Sequence, residues 1–150
     1  MVTAMAVNDS REIVIEATPE EILDVVADIP RTPEWSPQHQ SVEVLESFDN
    51  GRPRIVRAKV KTAGISDVQT VEYTWAENAV TWTLVDATQL KSQTGGYTLT
   101  PQGDKTLVRV DVEVELAIPL PGFIVKTAMK GALDTATKGL RGQVLKVKKG

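Results

Sequence analysis

Val71 to Asp86, VEYTWAENAVTWTLVD, holds one tyrosine and two tryptophans within sixteen residues of a chain that has only three tryptophans, two tyrosines and two phenylalanines in all. Apolar and polar side chains alternate on both sides of Glu77 and Asn78, the pattern of two antiparallel strands joined by a two-residue turn. In that register Trp75 lies opposite Val80, Tyr73 opposite Trp82, Val71 opposite Leu84 and Gln69 opposite Asp86. Side chains alternate across a strand, so the rings and aliphatic groups share one face. Thr70, Glu72, Thr74, Thr81 and Thr83 fall on the other.

The same division continues outward from this hairpin. Val56, Ala58 and Val60 alternate with Arg57, Lys59 and Lys61. A turn through Gln102 to Lys105 sets Leu99 against Val108 and Tyr97 against Val110, leaving Thr98, Thr100, Arg109, Asp111 and Glu113 outside. Between Ser41 and Leu116, alternating runs of roughly ten residues are separated by the turn signals DNGRP, TAG, AEN, TQLK and PQGDK, which predicts an antiparallel meander of six strands. Upstream, REIVIEA from Arg11 reads as a strand. TPEEILDVVADIP reads as a helix with Thr18 as N-cap, Pro19 at the first position and Glu21 at the third. Pro30, Pro33 and Pro37 restrict Ile29 to Trp35 to a short helical turn. Downstream of PLPG, one long helix runs from Phe123 to about Lys146, with Val125, Met129, Ala132, Ala136, Leu140 and Val144 on one stripe. The expected class is α+β, with the helices gathered on one face of a seven-stranded antiparallel sheet.

With 150 residues, 41% hydrophobic and 25% charged, the chain is expected to form one domain, residues 1–150, with a sizeable core. A net charge of -3 and a pI near 5.2 offer no basic footprint for nucleic acid or anionic membrane. The terminal LKVKKG reads as a solvated helix end. Zero cysteines exclude disulfides, thiolate metal sites and cysteine nucleophiles, and fit a reducing compartment. MVTAMAVNDSRE has no signal-peptide pattern, and no later segment has the length of a membrane span, so the expected location is cytoplasmic.

The inward face of the sheet decides what the protein does. The long helix offers Ala128, Gly131, Ala132, Ala136 and Gly139 near its inner stripe, and Gly95 and Gly96 adjoin Tyr97. A single helix about 10 Å across does not fill the hollow of a strongly curved sheet, so the aromatic face is read as a cavity wall. Candidate ligand contacts on the strands are Val56, Ala58 and Val60, then Gln69, Val71, Tyr73 and Trp75, then Trp82 and Leu84, then Gln93, Tyr97 and Leu99, and Val110. The long helix adds Phe123, Met129, Ala132, Leu133 and Ala136, and Trp35 approaches from the proline-rich segment. A turn near Gln89 and Leu90 would bring Gln93 beside Asp86, with Asp67 further out. The rim would then carry polar groups, with loops at Ala63 and Gly64, Thr88 to Lys91 and Pro119 to Gly122 forming a mouth.

The segments TPEEILDVVADIPRTPEWSP, GGYTLTPQGDKTLVRVDVEVEL and PLPGFIVKTAMKGALDTATKGLRGQV, arriving in this order, resemble the START-like superfamily, in particular its bacterial polyketide cyclase/dehydrase-like members. The resemblance covers about residues 10 to 146. It implies a helix-grip fold, in which a curved antiparallel sheet wraps the C-terminal helix around a pocket for a hydrophobic ligand. Its members include lipid carriers, binding proteins, aromatic cyclases and oxygenase domains, so fold alone does not choose an activity.

His39, the only histidine, is expected to be a surface or loop histidine. One histidine builds no catalytic triad and no multi-histidine metal site, and no dinucleotide or phosphate-loop fingerprint is present, so no metal or cofactor is expected. Three functions remain: a carrier or sensor of a small hydrophobic molecule, a polyketide cyclase/dehydrase-type enzyme, or a protein-interaction module. For the enzyme, Asp86 is the candidate proton acceptor, and Tyr73 or Tyr97 the donor to a carbonyl oxygen.

Overall fold

A computed structural model describes residues 6–62 and 64–149, so the first five residues, Ala63 and Gly150 lie outside the description that follows. The chain runs through β1 (Ala6–Ile15), α1 (Pro19–Ala27), a 3₁₀ turn (Ile29–Arg31), α2 (Thr32–Trp35), β2 (His39–Ser47), β3 (Pro53–Thr62), β4 (Ile65–Ala76), β5 (Ala79–Asp86), β6 (Leu90–Gln102) and β7 (Lys105–Leu116). It closes with α3 (Gly122–Asp134), a π-helical turn (Thr135–Gly139) and α4 (Leu140–Lys149), which follow one another without a break. All seven strands form one antiparallel sheet in the order β1-β7-β6-β5-β4-β3-β2. This is the helix-grip arrangement: a meander whose first strand closes beside its last, with the long helix against the inner face. Among the described residues no helix is long and apolar enough to cross a membrane.

Local chemistry accounts for the element boundaries. The Thr18 hydroxyl accepts the Glu21 N–H at 3.2 Å, and the Glu21 carboxylate accepts the Thr18 N–H at 2.9 Å, a reciprocal cap that fixes the start of α1. β1 begins at Ala6 rather than Arg11, because the polar run before Arg11 pairs with β7 along its length, from Ala6 opposite Glu115 to Ile15 opposite Thr106. Tertiary hydrogen bonding there overrides weak local propensity.

The central hairpin has the expected register at Trp75 and Val80, Tyr73 and Trp82, and Val71 and Leu84. Beyond Leu84 it differs, since Thr70, not Gln69, faces Asp86. Val85 is an extra residue in β5, a β-bulge, and one inserted residue turns Asp86 to the outer face. The approach of Gln93 to Asp86 is corrected as well. Trp82 pairs with Gly95, and the β5–β6 ladder ends at Thr83 opposite Thr94.

The long helix also departs from a uniform pattern. Its π turn loosens the backbone ladder, and the Tyr97 hydroxyl donates to the Ala136 carbonyl at 2.9 Å within that turn. Gly139 permits a close approach, because a Cβ there would lie 2.6 Å from the Trp35 carbonyl oxygen. Arg141 pairs with Glu16 at 2.7 Å and Arg11 pairs with Asp134, tying the helix to the β1 side of the sheet.

Ile15, Ile22, Val108, Leu133 and Leu140 are fully buried and belong to one core cluster with Leu99, Val110 and Val144. The packed core therefore occupies the part of the sheet–helix space next to α1 and the later turns of the long helix. The earlier turns face a different interior.

Candidate functional site

Between the first turns of the long helix and the inward faces of β3 to β7 lies a cavity of about 310 Å³. β3 contributes Val56, Ala58 and Val60, β4 contributes Gln69, Val71 and Tyr73, and β5 contributes Trp82. Gln93 and Tyr97 come from β6, Val112, Val114 and Leu116 from β7, and Val125, Ala128, Met129, Ala132 and Ala136 from the helix. Trp35 closes one side from α2. The helix turns three alanines, Ala128, Ala132 and Ala136, toward this space, alongside Val125 and Met129. A row of single methyl groups does not reach across the separation that leucines span at the packed end.

The aromatic wall has a defined construction. The Trp82 ring lies 5.7 Å from Tyr97 and 6.3 Å from Tyr73, tilted to both. Gly95 provides the space behind it, since a Cβ there would come within 2.5 Å of the indole. Trp75 stacks on Tyr73 at 5.6 Å and donates its indole N–H to the Pro53 carbonyl at 2.8 Å, while the Arg52 guanidinium covers the ring at 5.1 Å. Trp75 therefore buttresses Tyr73 from behind and does not line the cavity.

Several other expected contacts lie elsewhere. Leu99, Val110 and Leu133 belong to the packed core, where apolar neighbours surround them completely. Leu84 precedes the bulge, past the end of the β5–β6 ladder, and is outside the lining. Phe123 is 73% exposed, because two residues at about 100° each turn it away from the Val125 side of the helix. Asp86 is exposed on the outer face, so the proposed proton acceptor and the tyrosines are not brought together. The Tyr97 hydroxyl is committed to the Ala136 carbonyl. Burial pushes the Tyr73 phenol up to about 12, which keeps it a neutral hydroxyl in the wall.

His39, expected to be a surface or loop histidine, is the first residue of β2, opposite Val60, and lines the cavity. Its Nδ1 is 2.6 Å from the Ser36 hydroxyl, and burial lowers its pKa from 6.5, so the ring is neutral at neutral pH. Gln38 joins this corner, its side-chain oxygen accepting from the Thr135 hydroxyl at 3.1 Å. The signal for these residues was the proline-rich segment itself. It folds back onto the helix, a tertiary event that spacing alone does not reveal.

One end of the cavity is bounded by Gln89, Leu90 and Leu120, from loops expected to form a mouth, and by Thr62, Ile65 and Ile118 beside those loops; Ala63 lies outside the described residues. Asp67, near the start of β4, anchors the β5–β6 loop. Its carboxylate accepts the Thr88 N–H at 2.9 Å and the Gln89 N–H at 3.1 Å. The Gln89 carbonyl in turn accepts the Ala117 N–H at 3.0 Å, linking the β5–β6 loop to the segment that leads into the long helix.

An antiparallel sheet gripping a long helix around an apolar hollow defines a class of ligand-binding folds. The chain belongs to the family described as polyketide cyclase / dehydrase and lipid transport, whose model matches residues 7–144. It is similar to a START superfamily protein from Mycobacterium smegmatis, with 30% identity, a TM-score of 0.84, and coverage of 93% of this chain and 98% of that one. An aromatase/cyclase from Streptomyces sp. R1128 shares 12% identity at a TM-score of 0.80, covering 93% and 94% of the respective chains. A point mutant of norcoclaurine synthase from Thalictrum flavum shares 13% identity at a TM-score of 0.67 and covers 99% of each chain. At those identities the last two show a common fold and nothing further. No curated protein sequence matches the chain.

Proposed function

We propose that this chain, acting as one domain, binds a small hydrophobic molecule, lipid-like or of a polyketide or aromatic kind, and carries or senses it in the cytoplasm. The observation that supports this reading is the cavity of about 310 Å³, walled by Tyr73, Trp82 and aliphatic side chains. That volume sits at the small end of the ~300–1,000 Å³ typical of small-molecule sites. The enzymatic reading lacks a comparable observation, because Asp86 is outside the cavity.

Burying about 300 Å² of apolar ligand surface contributes about 7 kcal/mol at ~25 cal/mol per Å², against an association cost of at least about 4 kcal/mol. Apolar contact alone therefore gives weak binding, and polar contacts decide whether affinity reaches the micromolar range. Titration with 1-aminoanthracene, followed by its fluorescence, is expected to show saturable binding. Trp82→Ala removes the ring at the centre of the wall and is expected to weaken that binding by about tenfold or more, which corresponds to ~1.4 kcal/mol. Absence of saturable binding by the unaltered protein would overturn the reading.

A further inference from the structure

The charge inventory of the cavity narrows what it holds. Among the described residues, no lysine or arginine lines it. The one lining carboxylate, Asp67, spends both oxygens on the backbone N–H groups of Thr88 and Gln89. His39 is neutral, and both lining tyrosines remain protonated. An anionic head group inside would give up its hydration in apolar surroundings with no cation opposite it, and with the Asp67 charge nearby. Among the described lining residues no cation offsets that penalty.

A positive preference comes from what is left unpaired. Gln93 sits on the inward face of β6, opposite Val114, and its side-chain oxygen is buried without a hydrogen-bond partner. Buried acceptors are nearly always satisfied, and an open one destabilises the fold unless something donates to it. A leucine or methionine at this strand position would fill the same space without that cost. The amide therefore has a use that folding does not supply. The indole N–H of Trp35, another lining residue, is likewise buried without a partner.

Resting on the cavity-binding reading above, we infer that the site selects an uncharged apolar molecule bearing a hydroxyl, which donates to the Gln93 side chain, and that it rejects carboxylates of the same skeleton. The Gln93 oxygen takes the place that water would hold on the free ligand, so a hydroxyl enters without losing a hydrogen bond. A ligand with no polar group leaves that oxygen open.

The test uses three probes that share one ring system, 2-naphthol, 2-methylnaphthalene and 2-naphthoate, each displacing 1-aminoanthracene from the full chain near neutral pH. 2-Naphthol is expected to compete about tenfold or more tightly than 2-naphthoate, and several-fold more tightly than 2-methylnaphthalene. In Gln93→Met the advantage of 2-naphthol over 2-methylnaphthalene is expected to vanish, while the melting temperature stays level or rises because an unpaired buried amide is gone. Equal competition by 2-naphthoate, or an undiminished 2-naphthol preference in Gln93→Met, would overturn the inference. If the dye binds and none of the three probes displaces it, the inference also fails while the cavity-binding reading stands. If the dye itself does not bind, it is the cavity-binding reading that fails.

Discussion

Leu140→Arg is expected to leave no stably folded protein. Leu140 is fully buried at the start of α4, in the core cluster that also holds Ile15, Ile22 and Leu133. An arginine there has no carboxylate provided for it within the core, and its long side chain has no cavity to occupy. Burying an unpaired charge together with overpacking costs more than about 4 kcal/mol, a large part of the roughly 5–15 kcal/mol that holds a domain of this kind together. Thr81→Arg places the same side chain on the exposed outer face of β5, opposite Thr74, where the effect should stay within about 0.5 kcal/mol. Thermal unfolding of the two variants side by side checks this. Similar melting curves would mean that the inner and outer faces are wrongly assigned.

Gly95→Ala is expected to damage both stability and binding through a single methyl group. That methyl would lie 2.5 Å from two carbons of the Trp82 indole and 2.7 Å from its nitrogen. The indole has no free sideways path, because Tyr73 and Tyr97 flank it at 6.3 and 5.7 Å, so it must tilt toward the cavity. Overpacking of this kind costs about 1–3 kcal/mol, and each kcal/mol lowers the melting temperature of a chain this size by about 2–4 °C. A tilted indole also takes up cavity space, so 1-aminoanthracene should bind more weakly. Gly142→Ala provides the control, since a Cβ there meets nothing within 4 Å. Alanine stabilises an exposed helical position by about 0.4–1 kcal/mol. Unchanged melting and unchanged dye binding in Gly95→Ala would show that the indole does not rest on this glycine.

What could be read from the sequence follows the range over which each signal acts. The cap at Thr18 and Glu21, the turns at Glu77–Asn78 and Gln102–Lys105, and the inward set of Val56, Ala58, Tyr73 and Trp82 are local patterns, set by periodicity within one or two elements. The bulge at Val85 is a single extra residue that no local pattern announces, and it reversed the placement of Asp86. His39 reached the cavity because α2 folds back onto the helix at Gly139, a contact more than a hundred residues away in sequence. The inward face was therefore legible, but the division of that face was not. Leu99, Val110 and Leu133 lie where the helix packs tightly, whereas Val112, Val114 and Ala132 lie where it does not. That boundary depends on how closely the helix approaches the sheet, which no alternation pattern encodes.

The central claim, that the space under the long helix receives an apolar molecule, is tested most directly by methyl nuclear Overhauser contacts from bound 2-naphthol to methyl-labelled protein. The account predicts contacts from the naphthol protons to the methyl groups of Val71, Val112, Ala128 and Ala132, which line the cavity, and none to Val68 and Val85, which are exposed on the outer surface. Contacts confined to Val68 and Val85, or no contacts to any of the four inner residues once 2-naphthol has displaced the dye to saturation, would contradict it.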